Sequence, residues 1–238
     1  MILGCTAFAH RGLWSPAGPP ENSIAAFKAA AAAGLGIELD VHLSRDNVPF
    51  VFHDADLERM TGRPGAVWHE TAASLTALTL GESDERVPTL SQALGALPEG
   101  TPVLVEVKAS PGAPEAYARA VDLAMFGTQA RVAVMSFGRS INAGFRAVRP
   151  AYPRGVLIAP KAFGEAGGGQ AVLEAAQTLA PDFLAPHVSQ VEAVRSLVGE
   201  AQPLATWTVD TAEGLSAARA SRAAAIFEHL APALVAAG

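Results

Sequence analysis

Short apolar runs alternate with alanine-rich amphipathic stretches along nearly the whole chain, the pattern of βα units built on a parallel sheet. Strands are expected at residues 6–10, 36–41, 103–108, 131–137, 154–159, 182–187, 204–209 and 224–228. Helices are expected at 22–33, 89–97, 115–126, 140–148, 170–179, 191–198 and 211–220, with a stub at 231–237. Start signals support several of them: Asn22 as an N-cap, Thr89 with Gln92 as a capping box, and Asp210 with Glu213 in the same role. Eight strands and eight helical segments predict an α/β protein of the (β/α)8 TIM-barrel type, a single domain over residues 1–238. An open doubly wound sheet is the alternative.

One segment breaks the alternation. Val48–His53 follows the Asp46-Asn47 turn signal and reads as a short returning strand. Residues 54–87 then hold Gly, Pro, Trp68 and a polar Glu82–Arg86 tract. This is read as a small insertion between strand 2 and helix 2. Loops after barrel strands lie over the mouth, so the insertion is expected to act as a lid.

Composition narrows the class. Half of the 238 residues are hydrophobic, enough for a substantial core, and the net charge is −6 without a Lys/Arg run. A nucleic-acid backbone binder is therefore disfavoured, and any anion site must be a local pocket. The one cysteine, Cys5, excludes an internal disulfide and fits a reducing compartment. The N-terminus has no basic signal region, and the apolar runs are broken well short of bilayer length. A cytoplasmic location without stable membrane insertion is the expectation; the oligomeric state is left open.

Polar residues stand where apolar strands would otherwise continue. In Ile37-Glu38-Leu39-Asp40-Val41 the period of two puts both carboxylates on one face and the aliphatics on the other. Glu106 and Lys108 repeat the arrangement in Val103–Lys108. Glu38, Asp40 and Glu106 can converge on one hard divalent cation, Mg2+, Ca2+ or Mn2+, for which all-oxygen ligands are suited. Lys108 and Arg11 offer positive charge to phosphate oxygens. The competing readings are an internal ion pair for Lys108 and an ion pair with Glu21 for Arg11. His10 and His53 end separate strands, and such a pair can give and take a proton near neutral pH. His42 lies on the face of Asp40. Ser136, Lys161, His187, Trp207, Asp210 and Glu228 lie at later strand ends.

The motifs His10-Arg11-Gly12, Pro20-Glu21-Asn22, Ile37-Glu38-Leu39-Asp40-Val41, His53-Asp54 and Glu106-Val107-Lys108, in this order, resemble those of the glycerophosphodiester phosphodiesterase family. The resemblance is dense over residues 6–108. It implies hydrolysis of glycerophosphodiesters, small-molecule substrates, to sn-glycerol 3-phosphate and an alcohol. Glu38, Asp40 and Glu106 then resemble the ligands of a divalent cation. His10 and His53 resemble the general acid/base pair, and Arg11 and Lys108 the phosphate contacts. Trp207-Thr208-Val209-Asp210 resembles the family's Trp-Thr-Val-Asn, where the indole of Trp207 can pack on the glycerol moiety; the competing reading is an ordinary packing residue at the barrel rim. The chain departs from the family at Asp46-Asn47 and at Phe227-Glu228-His229-Leu230-Ala231. Two alternatives share the pattern: a phospholipase D-type phosphodiesterase and a non-catalytic barrel that only binds such a diester.

Overall fold

The computed structural model describes residues 2, 4–109, 112–160 and 168–236. Lys161 and residue 237 of the expected terminal stub lie outside them. The strands are β1 (Ala7–Ala9), β2 (Gly36–Leu43), β3 (Pro49–Val51), β4 (Pro102–Val107), β5 (Arg131–Ser136), β6 (Arg154–Ile158), β7 (Phe183–Pro186), β8 (Leu204–Val209) and β9 (Ala223–Phe227). All but β3 pair in parallel, and β1 bonds to both β2 and β9, which closes an eight-stranded barrel. The helices are α1 (Ile24–Ala32), α2 (Glu58–Thr61), α3 (Ala72–Leu75), α4 (Leu90–Gly95), α5 (Pro114–Met125), α6 (Arg139–Val148), α7 (Gly168–Gln177), α8 (Val191–Val198), α9 (Ala212–Ala220) and α10 (Pro232–Ala236). The (β/α)8 barrel expected from the alternation is the architecture found; an open sheet would lack the β1–β9 pairing.

Two apolar layers make the wall. Outward residues Ile37, Leu39, Val103, Val105, Val132 and Val134 pack on helix residues such as Phe27, Leu90 and Tyr117. Inward residues Phe8, Leu104, Ala133, Met135, Leu157 and Phe183 fill the lower barrel. Glycine makes room for the two rings: a Cβ at Gly36 would lie 2.5 Å from Phe8, and one at Gly155 would lie 2.2 Å from Phe183. Above this apolar plug the inward row of β2 turns polar at Glu38 and Asp40, beside Glu106 of β4, which is in register with Asp40. The site therefore sits at the C-terminal ends of the strands.

The returning strand is β3, antiparallel to β2 with His42 opposite Phe50. The insertion has a small core of its own in which Phe50, Phe52, Leu57, Val67, Leu75 and Leu80 are buried. Two capping assignments are corrected. Ser23, not Asn22, caps α1 by accepting from Ala26 N. Thr211, not Asp210, caps α9 by accepting from Gly214 N. In both places a hydroxyl one residue further on has the extended backbone an N-cap requires. The capping box of Thr89 and Gln92 is formed. Among the described residues no helix is long and apolar enough to cross a membrane.

Candidate active site

Asp40 is fully buried, and its two oxygens have different partners. Oδ1 faces Lys108 Nζ at 2.7 Å, while Oδ2 accepts from Asn22 Nδ2 at 2.8 Å and lies 3.5 Å from Arg11 Nε. Burial alone would raise its pKa, but Lys108, His53 and Arg11 outweigh that and hold the carboxyl below its ordinary range. Lys108 Nζ is also 2.7 Å from Glu106 Oε1. Both ion pairs left open by the sequence therefore exist: Lys108 bridges two carboxylates, and Arg11 Nη1 donates to Glu21 Oε1 at 3.0 Å.

Glu38 is placed differently. Its Oε2 accepts from the backbone N–H of Arg11 at 3.1 Å, whereas Oε1 is buried without a hydrogen-bond partner among the described residues. Burial, with the charge of Asp40, pushes its pKa up to about 8. Glu106 is likewise raised, chiefly by burial. Three carboxylates thus face two fixed cations, Lys108 and Arg11, and one oxygen from each of Glu38, Asp40 and Glu106 lies within 4.8 Å of the others. An orphaned buried oxygen in an all-carboxylate set with excess negative charge fits a hard divalent cation.

The polypeptide bends sharply to deliver these groups. Arg11 and Asn22 both adopt the left-handed backbone, at φ 59° and 56°. Gly12 between them has φ 83°, and a Cβ there would lie 2.8 Å from Ala26 Cβ. Such conformations cost about 1–3 kcal/mol each outside glycine and persist where surrounding contacts enforce them. Here those contacts are Arg11 N to Glu38 and Asn22 N to the Arg11 carbonyl at 2.9 Å.

Each of the two expected proton-transfer histidines donates from Nδ1 to a carboxylate. His10 reaches Glu228 Oε2 at 2.8 Å, and its Nε2 lies 4.0 Å from Glu38 Oε2. Burial opposes its protonation, but Glu228 and Glu38 prevail and its pKa is raised. His53 donates to Asp54 Oδ1 at 2.7 Å. Burial lowers its pKa, and Lys108 and Arg11 add to the effect against the pull of Asp40. The His53 carbonyl accepts from His42 Nε2 at 3.1 Å, and burial holds His42 near a pKa of about 4.

Trp207 belongs to another group at the mouth. Its indole donates to the Ala185 carbonyl at 2.9 Å and makes edge contacts with His187 and Phe137, at centroid distances of 5.1 and 5.2 Å. Residues whose part the sequence did not disclose are Asn22, Asp54, Arg59 and Glu228. In sequence Asn22 has the signature of a helix cap, and Glu228 stands only at a strand end. Asp54 had a signal in its place beside His53, whereas Arg59 had none, since folding alone brings it to Glu21 and Asp54.

A family model described as the glycerophosphoryl diester phosphodiesterase family matches residues 10–228. An uncharacterized Mycobacterium tuberculosis protein is 32% identical over 139 residues, covering 52% of this chain and 46% of that protein. A Bacillus subtilis protein provisionally named as a glycerophosphodiester phosphodiesterase is 33% identical over 162 residues, covering 64% of this chain and 65% of its own. The matched region thus spans roughly half to two thirds of these curated relatives. In three dimensions an Oleispira antarctica phosphodiesterase, solved in complex with its product sn-glycerol-3-phosphate, aligns with a TM-score of 0.83 at 24% identity. That alignment covers 97% of this chain and 95% of the other, and establishes the likeness of fold.

Proposed function

The chain belongs to the glycerophosphoryl diester phosphodiesterase family, and from that premise we propose that it hydrolyses glycerophosphodiesters to sn-glycerol 3-phosphate and an alcohol. The observation that carries this reading is the buried meeting of Glu38, Asp40 and Glu106, with oxygens within 4.8 Å, beside two carboxylate-anchored histidines. Glu38, Asp40 and Glu106 would hold a divalent cation, Mg2+, Ca2+ or Mn2+. Bound there, it supplies positive charge to the phosphoryl oxygens.

The chain's own groups do the rest. Arg11 and Lys108 share the negative charge of the diester, at the cost of loosening their contacts with Glu21, Asp40 and Glu106. With Nδ1 of each ring committed to a carboxylate, Nε2 of His10 and of His53 is the nitrogen that exchanges a proton. One removes it from the nucleophile and the other returns it to the departing alkoxide. Trp207 offers an apolar face to the glycerol moiety.

The insertion, residues 54–87, covers the mouth and selects the head group. In support, a cleft of about 420 Å³ opens between it and the loop after β1, lined by Trp14, Glu21, Arg59, Met60 and Glu82. A reducing, cytoplasmic setting belongs to the same reading, supported by the single, unpaired Cys5.

The test is product identity. Glycerophosphocholine, glycerophosphoethanolamine and glycerophosphoglycerol should each be assayed for sn-glycerol 3-phosphate release. Release from at least one supports the reading. Release of a phosphorylated head group instead, or binding of all three without turnover, would refute it.

A further inference from the structure

Arg59 stands on α2 within the insertion, with its side chain 49% exposed, and holds two carboxylates at once. Its Nε lies 2.5 Å from Asp54 Oδ2. Its Nη1 and Nη2 donate to Glu21 Oε2 and Oε1 at 3.1 and 2.6 Å, the fork geometry in which guanidinium and carboxylate fix each other's planes. Each carboxylate has its second partner in the site. Asp54 Oδ1 accepts from His53 Nδ1 at 2.7 Å, and Glu21 Oε1 accepts from Arg11 Nη1 at 3.0 Å. An unbroken series of charge-assisted bonds therefore runs from His53 through the insertion to Arg11.

A carboxylate bound at one oxygen still swings about its Cβ–Cγ or Cγ–Cδ bond, and a histidine leaning on it swings too. A cation on the other oxygen removes that freedom. Arg59 does so for Asp54 and Glu21 from a backbone that packing fixes: Leu57, just before α2, is fully buried in the insertion's core. Because Arg59 itself is half exposed, these pairs add little to stability even though Glu21 is buried. Their weight falls on orientation, where a displacement of about 1 Å can cost on the order of 100-fold in rate.

We infer that Arg59 is a positioning residue that orients His53 through Asp54 and Arg11 through Glu21, so that seating of the insertion aligns two groups of the site. Its effect on rate rests on the phosphodiesterase reading. Its effect on the His53 ring does not.

The experiment compares Arg59→Gln, Arg59→Lys and Asp54→Asn with wild type in the full chain. It measures kcat and KM for sn-glycerol 3-phosphate release, the thermal midpoint, and the ring-nitrogen NMR signals of His53, assigned with His53→Asn. Arg59→Gln should lower kcat on the order of 10- to 100-fold with a thermal midpoint near that of wild type, and should shift the His53 Nδ1 signal. Asp54→Asn should shift the same signal. Arg59→Lys, which keeps the charge and loses the fork, should recover part of the rate. An unshifted His53 signal in Arg59→Gln overturns the inference, whether the rate is unchanged or falls together with the thermal midpoint. Wild type that releases no sn-glycerol 3-phosphate would refute the proposed function instead, and the His53 signal would still decide the role of Arg59.

Discussion

Asn22 Nδ2 donates to Asp40 Oδ2 across 2.8 Å, and Asp40 N donates back to Asn22 Oδ1 across 3.3 Å. This two-way contact ties the loop after β1 to the most buried carboxylate of the site. It also explains why an asparagine occupies a left-handed position, since Asn tolerates that backbone better than most residues. Removing its side chain leaves a buried carboxylate oxygen short of a donor. Asn22→Ala should therefore lose about 1–3 kcal/mol of stability, measured by urea unfolding. A loss below about 0.5 kcal/mol, the range of ordinary surface substitutions, would mean that the contact carries no weight.

The Arg59 ion pairs predict acid sensitivity with a defined sign. Glu21 and Asp54 have folded-state pKa values below their ordinary 4.5 and 3.8, because their arginine and histidine contacts outweigh the opposing effect of burial. For groups with depressed values, the stabilisation is complete above the ordinary pKa and is lost as pH falls through the folded-state value. The part of the thermal midpoint that these pairs supply, read as the wild-type value minus that of Arg59→Gln, should thus hold down to about pH 4.5 and then shrink. Equal pH slopes in the two proteins would remove these pairs from the account.

Head-group selection by the insertion predicts a split between specificity and cation binding. Trp14→Ala and Met60→Ala, both in the cleft under the insertion, should alter relative rates among head groups while cation affinity stays near wild type. A specificity profile unchanged in both folded variants counts against the lid.

His10→Asn and His53→Asn should each reduce kcat on the order of 10²–10⁴-fold, the usual contribution of general acid–base catalysis. Calorimetric titration should still detect cation binding in both. Loss of the cation in both variants, or kcat above a tenth of wild type in both, would show that proton transfer is not their task.

Much of this was legible in the chain because two periodicities coincide. Apolar alternation located all eight barrel strands within a few residues, and the same period of two aimed Glu38, Asp40 and Glu106 inward together. What stayed hidden depends on the path between elements. Asn22 looked like a helix cap because the residue types that cap helices also tolerate the left-handed turn it adopts. Arg59 and Glu228 reach Asp54 and His10 only after the insertion folds back and the barrel closes, and His10 and Glu228 stand 218 positions apart. Ion pairs of Lys108 and Arg11 were anticipated as competitors of phosphate binding, and the structure shows them formed within the site.

The most direct test is sn-glycerol 3-phosphate release by wild-type protein stripped with chelator and then titrated with Mg2+, Ca2+ or Mn2+, with Glu38→Gln in parallel. The expected result is no release from the stripped protein and saturable recovery with at least one cation, with a markedly higher cation requirement in Glu38→Gln. Full release from protein shown by elemental analysis to be metal-free would contradict the account at its centre.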